Sequence, residues 1–196
     1  SYPRLMLRLA EKNGMDISGL PESLLTAING DEELEYVPFN QVILLNNYIQ
    51  RDYPTSSVGA ELGLSLSESS HGFLIYALKS SRTLEDSLAS LKRYMPMVAD
   101  ILDFEIFTVN DKVVLECVEV CDLKTTRPLI LEFIVSVLFK AFCLRFPDCD
   151  PVQDYRARLP YSKPAWVDDF KEQWPFDVEY DSDNMQFLFN ANWLTC

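Results

Sequence analysis

The chain has 196 residues, of which 48% are hydrophobic and 12% aromatic, so it can bury the core of one domain. It carries 17 Lys and Arg against 30 Asp and Glu, which gives a formal net charge of −13. Such an acidic surface repels phosphate backbones and anionic membranes, which argues against direct binding of nucleic acid by this chain.

Helices are predicted for the first 70 residues. The segments "DISGLPESLLTAI" (16–28) and "VPFNQVILLNNYIQRDY" (37–53) carry apolar residues at steps of three and four. Pro38 suits the first turn of the second helix. The acidic run at 31–35 lies between the two segments and predicts a solvent-exposed loop.

A capped helix is predicted from Thr83 onward. Residues 73–78 predict either a helical piece or a short apolar one, which Ser80 and Ser81 end. The Thr83 hydroxyl can accept a hydrogen bond from the first turn of the next helix, and Pro96 is expected to bend or end that helix. The apolar face of the helix consists of Leu84, Leu88, Leu91 and Met95.

Two hairpins are predicted from segments whose apolar residues alternate. The segments "ILDFEIFTV" (101–109) and "KVVLECVEV" (112–120) flank Asn110 and Asp111, which tolerate the left-handed backbone of a tight turn. Near the end of the chain, "FDVEY" and "MQFLF" alternate in the same way around "DSDN", which predicts a second hairpin.

Between the hairpins, residues 128–146 predict a long buried helix that Pro128 opens and Pro147 stops. Glu132, Ser136 and Lys140 interrupt its apolar run at spacings of four. A membrane-spanning helix needs about 20 nearly uninterrupted apolar residues, so we expect a core helix with one polar stripe.

Two shorter elements follow the long helix. The segment "VQDYRARL" (152–159) alternates as a half-solvated strand does. The segment "PAWVDDFKEQW" predicts an amphipathic helix with Trp166, Phe170 and Trp174 on one face. That spacing favours tryptophans that fill the core, although they could equally line a cavity.

The element order predicts an α+β fold in a single domain, 1–196. Its helical N-terminal part covers 1–70, and its α+β core covers 71–196, with an antiparallel or mixed sheet of two hairpins plus a strand and a long buried helix.

The sequence carries no motif for catalysis, a cofactor or a metal. His71 is the only imidazole, GxSxG is absent, and the six glycines form neither GxGxxG nor GxxxxGK[ST]. The five cysteines include no CxxC pair; Cys117 and Cys121, four apart in a predicted strand, are expected to be buried on one face. We therefore expect a protein that is not an enzyme, in a reducing cytoplasm, with no secretory signal.

The stretch "HGFLIYALKSSRTLEDSLASLKRY" (71–94) resembles the N-terminal effector domain of AraC-type transcriptional regulators, in the arabinose-binding-like subgroup. That subgroup typically shows the pattern G-x-L-G-Y-A-x-x-S-S-x-T-L. The resemblance extends to the C-terminal part, at Pro164, Trp166, Phe170, Pro175, Val178, Tyr180 and "MQFLFNANWL". Two departures add bulk, since Ile75 stands where the family often has glycine and Trp174 where it often has cysteine.

The resemblance implies a cytoplasmic bacterial regulator whose N-terminal part senses a small molecule or forms a homodimer. DNA would then be bound only by a C-terminal pair of helix-turn-helix motifs that this chain does not include, and no membrane would be involved. The alternative is a stand-alone protein–protein interaction module that dimerises without a small-molecule ligand.

A candidate ligand site is predicted where polar groups gather beside apolar surface. For Arg93 and Tyr94 a helix end that satisfies its own neighbours is an alternative. The candidate ligand-binding residues are Tyr76, Lys79, Ser80, Arg82, Arg93, Tyr94 and Trp166.

Overall fold

Helices form most of the described part of the first 66 residues, as the sequence predicts. The computed structural model describes residues 2–29, 38–53, 56–66, 81–148 and 150–195; the acidic run at 31–35 and the apolar piece at 73–78 lie outside these ranges. The α-helices are α1 (Tyr2–Lys12), α2 (Glu22–Asn29), α3 (Phe39–Asp52), α4 (Val58–Ser65), α5 (Leu84–Val98), α6 (Arg127–Arg145) and α7 (Pro151–Asp154). Short 3₁₀ helices cover Lys124–Thr126, Ala165–Phe170 and Ala191–Thr195.

One mixed sheet of five strands forms the other half of the fold, which confirms the α+β class. Its order is β1-β2-β5-β3-β4, and only the β3–β4 pair is parallel. The strands are β1 (Leu102–Val109), β2 (Lys112–Glu119), β3 (Arg156–Arg158), β4 (Asp177–Glu179) and β5 (Met185–Asn190). The first hairpin is confirmed, and Asn110 alone of its turn pair takes a positive φ, 55°.

The second predicted hairpin is wrong, because β3 lies between β4 and β5. Ala157 faces Val178 in the parallel pair and Phe187 in the antiparallel pair. The turn after β4 bonds to the segment after β3 instead of folding back: Asp181 N–H donates to the Tyr161 carbonyl at 3.0 Å, and Ser182 N–H donates to the Leu159 carbonyl at 3.2 Å.

The central helix α6 confirms the predicted buried helix, with Pro128 in its first turn. The Phe142 ring lies 5.4 Å from Phe187 and 4.7 Å from Phe189, so one side of α6 packs on β5. Its polar stripe meets α4. No helix of the described residues has both the length and the apolar content needed to cross a bilayer.

Helix α5 begins as predicted but ends later. The Thr83 hydroxyl accepts a hydrogen bond from Asp86 N–H at 3.1 Å, which confirms the cap. Pro96 lies inside the helix, which continues to Val98. A proline near a helix end removes one donor only, and Ala99 N–H still closes the last turn on the Met95 carbonyl at 2.9 Å.

Two of the later elements are shorter or tighter than predicted. Residues 151–154 form α7, which leaves a strand of three residues at β3. Residues 165–170 form a 3₁₀ helix, because the chain then turns with the N–H groups of Gln173 and Trp174 both bonded to the Phe170 carbonyl. The tryptophan face is nevertheless buried, as predicted.

The two strand cysteines do not share one buried face. Strand β2 ends at Glu119, so Cys121 lies beyond the strand and is exposed, whereas Cys117 is buried.

Candidate functional site

Glu132 and Ser136 of the α6 polar stripe are buried and Lys140 is partly buried, and two of these three side chains have close partners. Lys140 Nζ donates to the carbonyls of Leu64 and Leu66 at 2.7 and 2.6 Å, where its charge complements the C-terminal end of α4. Ser136 Oγ accepts a hydrogen bond from Trp174 Nε1 at 2.8 Å. These bonds tie α6 to the helical part and to the segment before β4.

Helix α4 can lie directly on this stripe because it presents glycine there. A Cβ at Gly59 would stand 2.5 Å from the Leu129 carbonyl oxygen and 2.8 Å from Glu132 Oε2. A Cβ at Gly63 would stand 2.5 Å from the Ser136 Cβ. The two helices therefore meet closely, and water is kept away from the Glu132 carboxyl on that side.

Glu132, the third member of the stripe, is poorly satisfied. Its side chain is only 4% exposed, and the one hydrogen bond to it from a described residue is a long one, from Tyr161 Oη to Glu132 Oε1 at 3.3 Å. Burial raises the pKa of Glu132 to about 8, although the Tyr161 hydrogen bond opposes that rise. At neutral pH this carboxyl therefore mostly keeps its proton.

Tyr161 and Tyr180 complete the surroundings of that carboxyl because each follows a strand of the parallel pair. The carboxyl ends of parallel strands meet at one sheet edge, and the ring centroids of the two tyrosines lie 6.2 Å apart. Burial raises the pKa of both phenols, and the charge of Glu132 adds to each rise. Tyr180 Oη is buried and has no hydrogen-bond partner among the described residues.

We call these three side chains, Glu132, Tyr161 and Tyr180, the Glu132 cluster. Among the described residues, one long hydrogen bond joins the Tyr161 hydroxyl to the Glu132 carboxyl, and the Tyr180 hydroxyl has no partner. Most buried polar side-chain atoms in proteins have a partner, so this cluster is a place where a further polar group would be stabilised.

An ion pair anchors the segment next to the Glu132 cluster. Arg127 Nε lies 2.6 Å from Glu119 Oε1, and Arg127 Nη1 donates to the Pro160 carbonyl at 3.1 Å. The guanidinium thus joins the start of α6, the end of β2 and the residue before Tyr161. Its charge lowers the pKa of Tyr161, against the larger effect of burial.

A row of aromatic rings lies beside the Ser136 contact. The Trp174 ring centroid is 5.5 Å from that of Trp166 and 5.6 Å from that of Phe176. Trp166 also meets Phe170 edge-on at 5.3 Å. Trp166 is buried in this row, which agrees with a tryptophan that fills the core.

Of the other predicted site residues, Arg82, Arg93 and Tyr94 are described by the structure and lie outside this row. Arg82 is exposed, and its carbonyl accepts a hydrogen bond from Arg145 Nη2 at 3.3 Å. On α5, Arg93 is exposed and its guanidinium lies 5.4 Å from the centroid of the Tyr94 ring. Tyr76, Lys79 and Ser80 lie outside the described residues, so the predicted ligand set stays a prediction.

Glu132 belongs to the polar stripe that the sequence predicts, but neither it nor Tyr161 nor Tyr180 is among the predicted ligand-binding residues. One signal was present: a single carboxylate inside an otherwise apolar helix must be neutral or paired if that helix is buried. Its partner could not be identified, because Tyr161 is 29 residues away in the chain. In the described residues, no group of three or more His, Cys, Asp and Glu could hold a metal ion.

Similar proteins point to one family. Residues 16–196 match the family described as the arabinose-binding domain of AraC transcription regulators, N-terminal. The ornithine utilization regulator of Pseudomonas aeruginosa is 25% identical over 187 residues, which cover 92% of this chain and 53% of that protein. The chain thus spans about half the length of this curated relative.

Two crystal structures share the fold. The transcriptional regulator CdpR from Pseudomonas aeruginosa superposes with a TM-score of 0.69 at 16% identity, over 100% of this chain and 57% of that one. The Fe(II) unliganded H-NOX protein from K. algicida gives a TM-score of 0.52 at 13% identity, over 96% and 93%. At these identities the likeness concerns the fold alone, whereas the family match covers most of the sequence: the chain belongs to the arabinose-binding N-terminal domains of AraC transcription regulators.

Proposed function

We propose that this chain is the ligand-sensing part of a longer bacterial transcription regulator. The effector would be a small molecule, and DNA would be contacted by another part of the same protein. The net charge of −13 supports this division, because an acidic domain repels the phosphate backbone that a separate basic domain would grip. We expect the protein to act in the cytoplasm, without a membrane, and to have no catalytic activity.

The observation that carries the proposal is the Glu132 cluster. It combines a buried carboxyl with two phenols, has one long internal hydrogen bond among the described residues, and lies beside a row of aromatic rings. Ligand sites in proteins are usually mostly apolar with a few polar groups in fixed positions. The family match supports a sensing role, and the cluster supplies a place for it.

The position of α6 suggests how binding would be transmitted. This helix holds Glu132, packs on α4 through Gly59 and Gly63, and packs on β5 through Phe142. An effector can shift a regulator only if it binds one arrangement better than another. A ligand that contacts Glu132 would favour one position of α6. Helix α4 and strand β5, which pack on α6, would shift with it.

A thermal-shift screen of metabolites on this chain tests the proposal. The name of the ornithine utilization regulator makes amino acids and amines a sensible first group. A true effector at one hundred times its dissociation constant should stabilise the fold by about 2.7 kcal/mol. If no class of metabolite raises the melting temperature, the sensing role is contradicted.

The second candidate is an interaction module that dimerises without a ligand. Strand β1 lies at the end of the sheet order, and Phe107 and Val109 on it are 39% and 50% exposed. Apolar side chains on an edge strand are suited to pairing with a second copy. A stable dimer by sedimentation, together with an empty metabolite screen, would support this candidate over the first.

A further inference from the structure

We infer that the Glu132 cluster binds a cationic group of the effector, such as the ammonium group of an amine. This inference rests on the proposed sensing function and specifies its chemistry. The cluster offers carboxyl oxygens on α6 and phenol oxygens after β3 and β4, all from one side of the helix. An ammonium group has three N–H donors and no acceptor, so it complements a set of oxygen atoms.

The charges around the cluster favour a cation over an anion. The nearest basic group that acts on it is Arg127, and that guanidinium is already bonded to Glu119 and to the Pro160 carbonyl. Once Glu132 loses its proton, its negative charge would repel an anionic ligand, and this repulsion is strong in a poorly solvated site. The Tyr161 and Tyr180 rings, with centroids 6.2 Å apart, could add cation–π attraction.

Geometry also limits where such a group could enter. On the α4 side, Glu132 Oε2 is already close to the Cα of Gly59, which leaves no room for a ligand there. The long Tyr161 bond goes to the other carboxyl oxygen, Oε1, and both Tyr161 and the unpartnered Tyr180 come from the edge where β3 and β4 end. A ligand ammonium placed among these oxygens would replace one weak hydrogen bond with up to three charge-assisted ones.

Binding of a cation would be linked to loss of the Glu132 proton. Among the described residues, the groups whose charges act on the cluster are Arg127, which acts on Tyr161, and Asp168, which acts on Tyr180; from α4 the facing residue is the uncharged Gly59. With a free-state pKa of about 8 for Glu132, the affinity for an ammonium ion should rise about tenfold from pH 6 to pH 7 and level off above pH 8.

The test uses three matched sets of probes on the whole chain at constant ionic strength. They are primary alkylammonium ions of one to five carbons with 1,4-diaminobutane, the corresponding alcohols, and the corresponding carboxylates. Thermal shift and calorimetry report binding. We expect the ammonium compounds alone to stabilise the protein, with the tenfold rise in affinity between pH 6 and pH 7.

Glu132→Gln keeps the shape of the side chain and removes its charge. We expect at least tenfold weaker ammonium binding and no remaining pH dependence. Glu172→Gln makes the same chemical change at an exposed position and should bind as the wild type does. Tyr180→Phe removes only the unpartnered hydroxyl and should weaken binding several-fold while the pH dependence persists.

The outcomes separate this inference from the sensing role. Stabilisation by alcohols or carboxylates alone would overturn the cationic site and leave a ligand-sensing domain. Ammonium binding that Glu132→Gln does not weaken would move the site elsewhere and also overturn the inference. Failure of the ammonium set when another metabolite stabilises the protein overturns the inference alone, and failure of every compound class contradicts both.

Discussion

Glu132 is the residue whose protonation ties the stability of this fold to pH. It is a carboxyl inside the central helix, 4% exposed, with one long hydrogen bond from a described residue. Burial without a paired charge favours the neutral form of an acid. The folded protein therefore holds a proton here that the unfolded chain releases.

Replacing Glu132 by Gln should flatten the pH dependence of folding stability. The unfolded chain binds this proton only near pH 4.5 and below, whereas the native state holds it up to about pH 8. Between these values the native state binds more protons, so the free energy of unfolding falls as pH rises, by about 1.4 kcal/mol per unit. Urea unfolding at pH 5, 6, 7 and 8 measures this slope.

Wild type and Glu172→Gln should share the downward slope from Glu132, on the order of 2–4 kcal/mol across that window. In Glu132→Gln, the free energy of unfolding should not show the fall with pH that Glu132 causes. An identical slope in all three proteins would show that the Glu132 pKa is not raised.

For single residues, the sequence indicates which face of α6 carries the polar side chains but not which residues surround them. Spacing alone places Glu132, Ser136 and Lys140 in one stripe, and the structure confirms that stripe. The three receive quite different partners, from Tyr161, Trp174 and the end of α4, each distant in the chain. Side-chain periodicity describes one helix, whereas these contacts depend on how several elements assemble.

The close contact between helices α4 and α6 depends on two positions of α4 that have no side chain. Gly59 and Gly63 lie one turn apart on α4 and face successive turns of α6. The carbonyl oxygens and Ser136 come closer there than a methyl group allows. A glycine inside a helix ordinarily lowers stability, so its presence at both positions reflects this close approach.

Gly63→Ala should destabilise the protein although alanine favours helix. The new Cβ would stand 2.5 Å from both the Phe133 carbonyl and the Ser136 Cβ, and neither can move far in a packed helix. Against a gain of about 1 kcal/mol in helix propensity, overpacking should leave a net loss of about 1–3 kcal/mol. Chemical unfolding checks this value.

The matched control for that substitution is Asn40→Ala, at an exposed position in the first turn of α3. It also introduces alanine into a helix but meets no neighbouring helix. Its stability should be unchanged or slightly higher. Equal gains in both variants would mean that α4 and α6 are less closely packed than described.

Elements that depend on residues close together in the chain could be predicted from the sequence. Elements that depend on contacts between distant parts of the chain could not. The first hairpin follows from alternation on both sides of Asn110, and α5 follows from Thr83 and its apolar spacing. The second hairpin fails because the insertion of β3 beside β5 depends on pairing between Ala157 and Phe187, far apart in the chain. The turn residues at 181–184 do not indicate that β3 pairs with β5.

For the whole molecule, the charge of −13 sets what the domain can contact. The chain belongs to the arabinose-binding N-terminal domains of AraC transcription regulators, and the family match covers residues 16–196. The relatives that share this fold are named as transcriptional regulators or as an H-NOX protein. Under the proposed function, the basic surface that holds DNA would belong to another part of the protein.

The chain by itself should show no measurable affinity for duplex DNA. Neutralising the phosphate charge requires basic groups, and here acidic residues exceed basic ones, 30 against 17. Fluorescence anisotropy with a labelled duplex at about 0.15 M salt should remain flat. Lowering the salt should not produce binding, and a tight complex would contradict the proposed division of roles.

Helix α6 has a practical consequence for anyone shortening this protein. From Leu129 to Phe139 it has no exposed residue, because α4 covers one side and the sheet the other. A truncated version that starts at residue 81 would expose the Glu132 side chain to solvent, and the Glu132 pKa would fall toward that of free glutamate. It would also remove the α4 carbonyls to which Lys140 donates. Helix α4 is therefore part of the structure that encloses Glu132, and a shortened version should retain it.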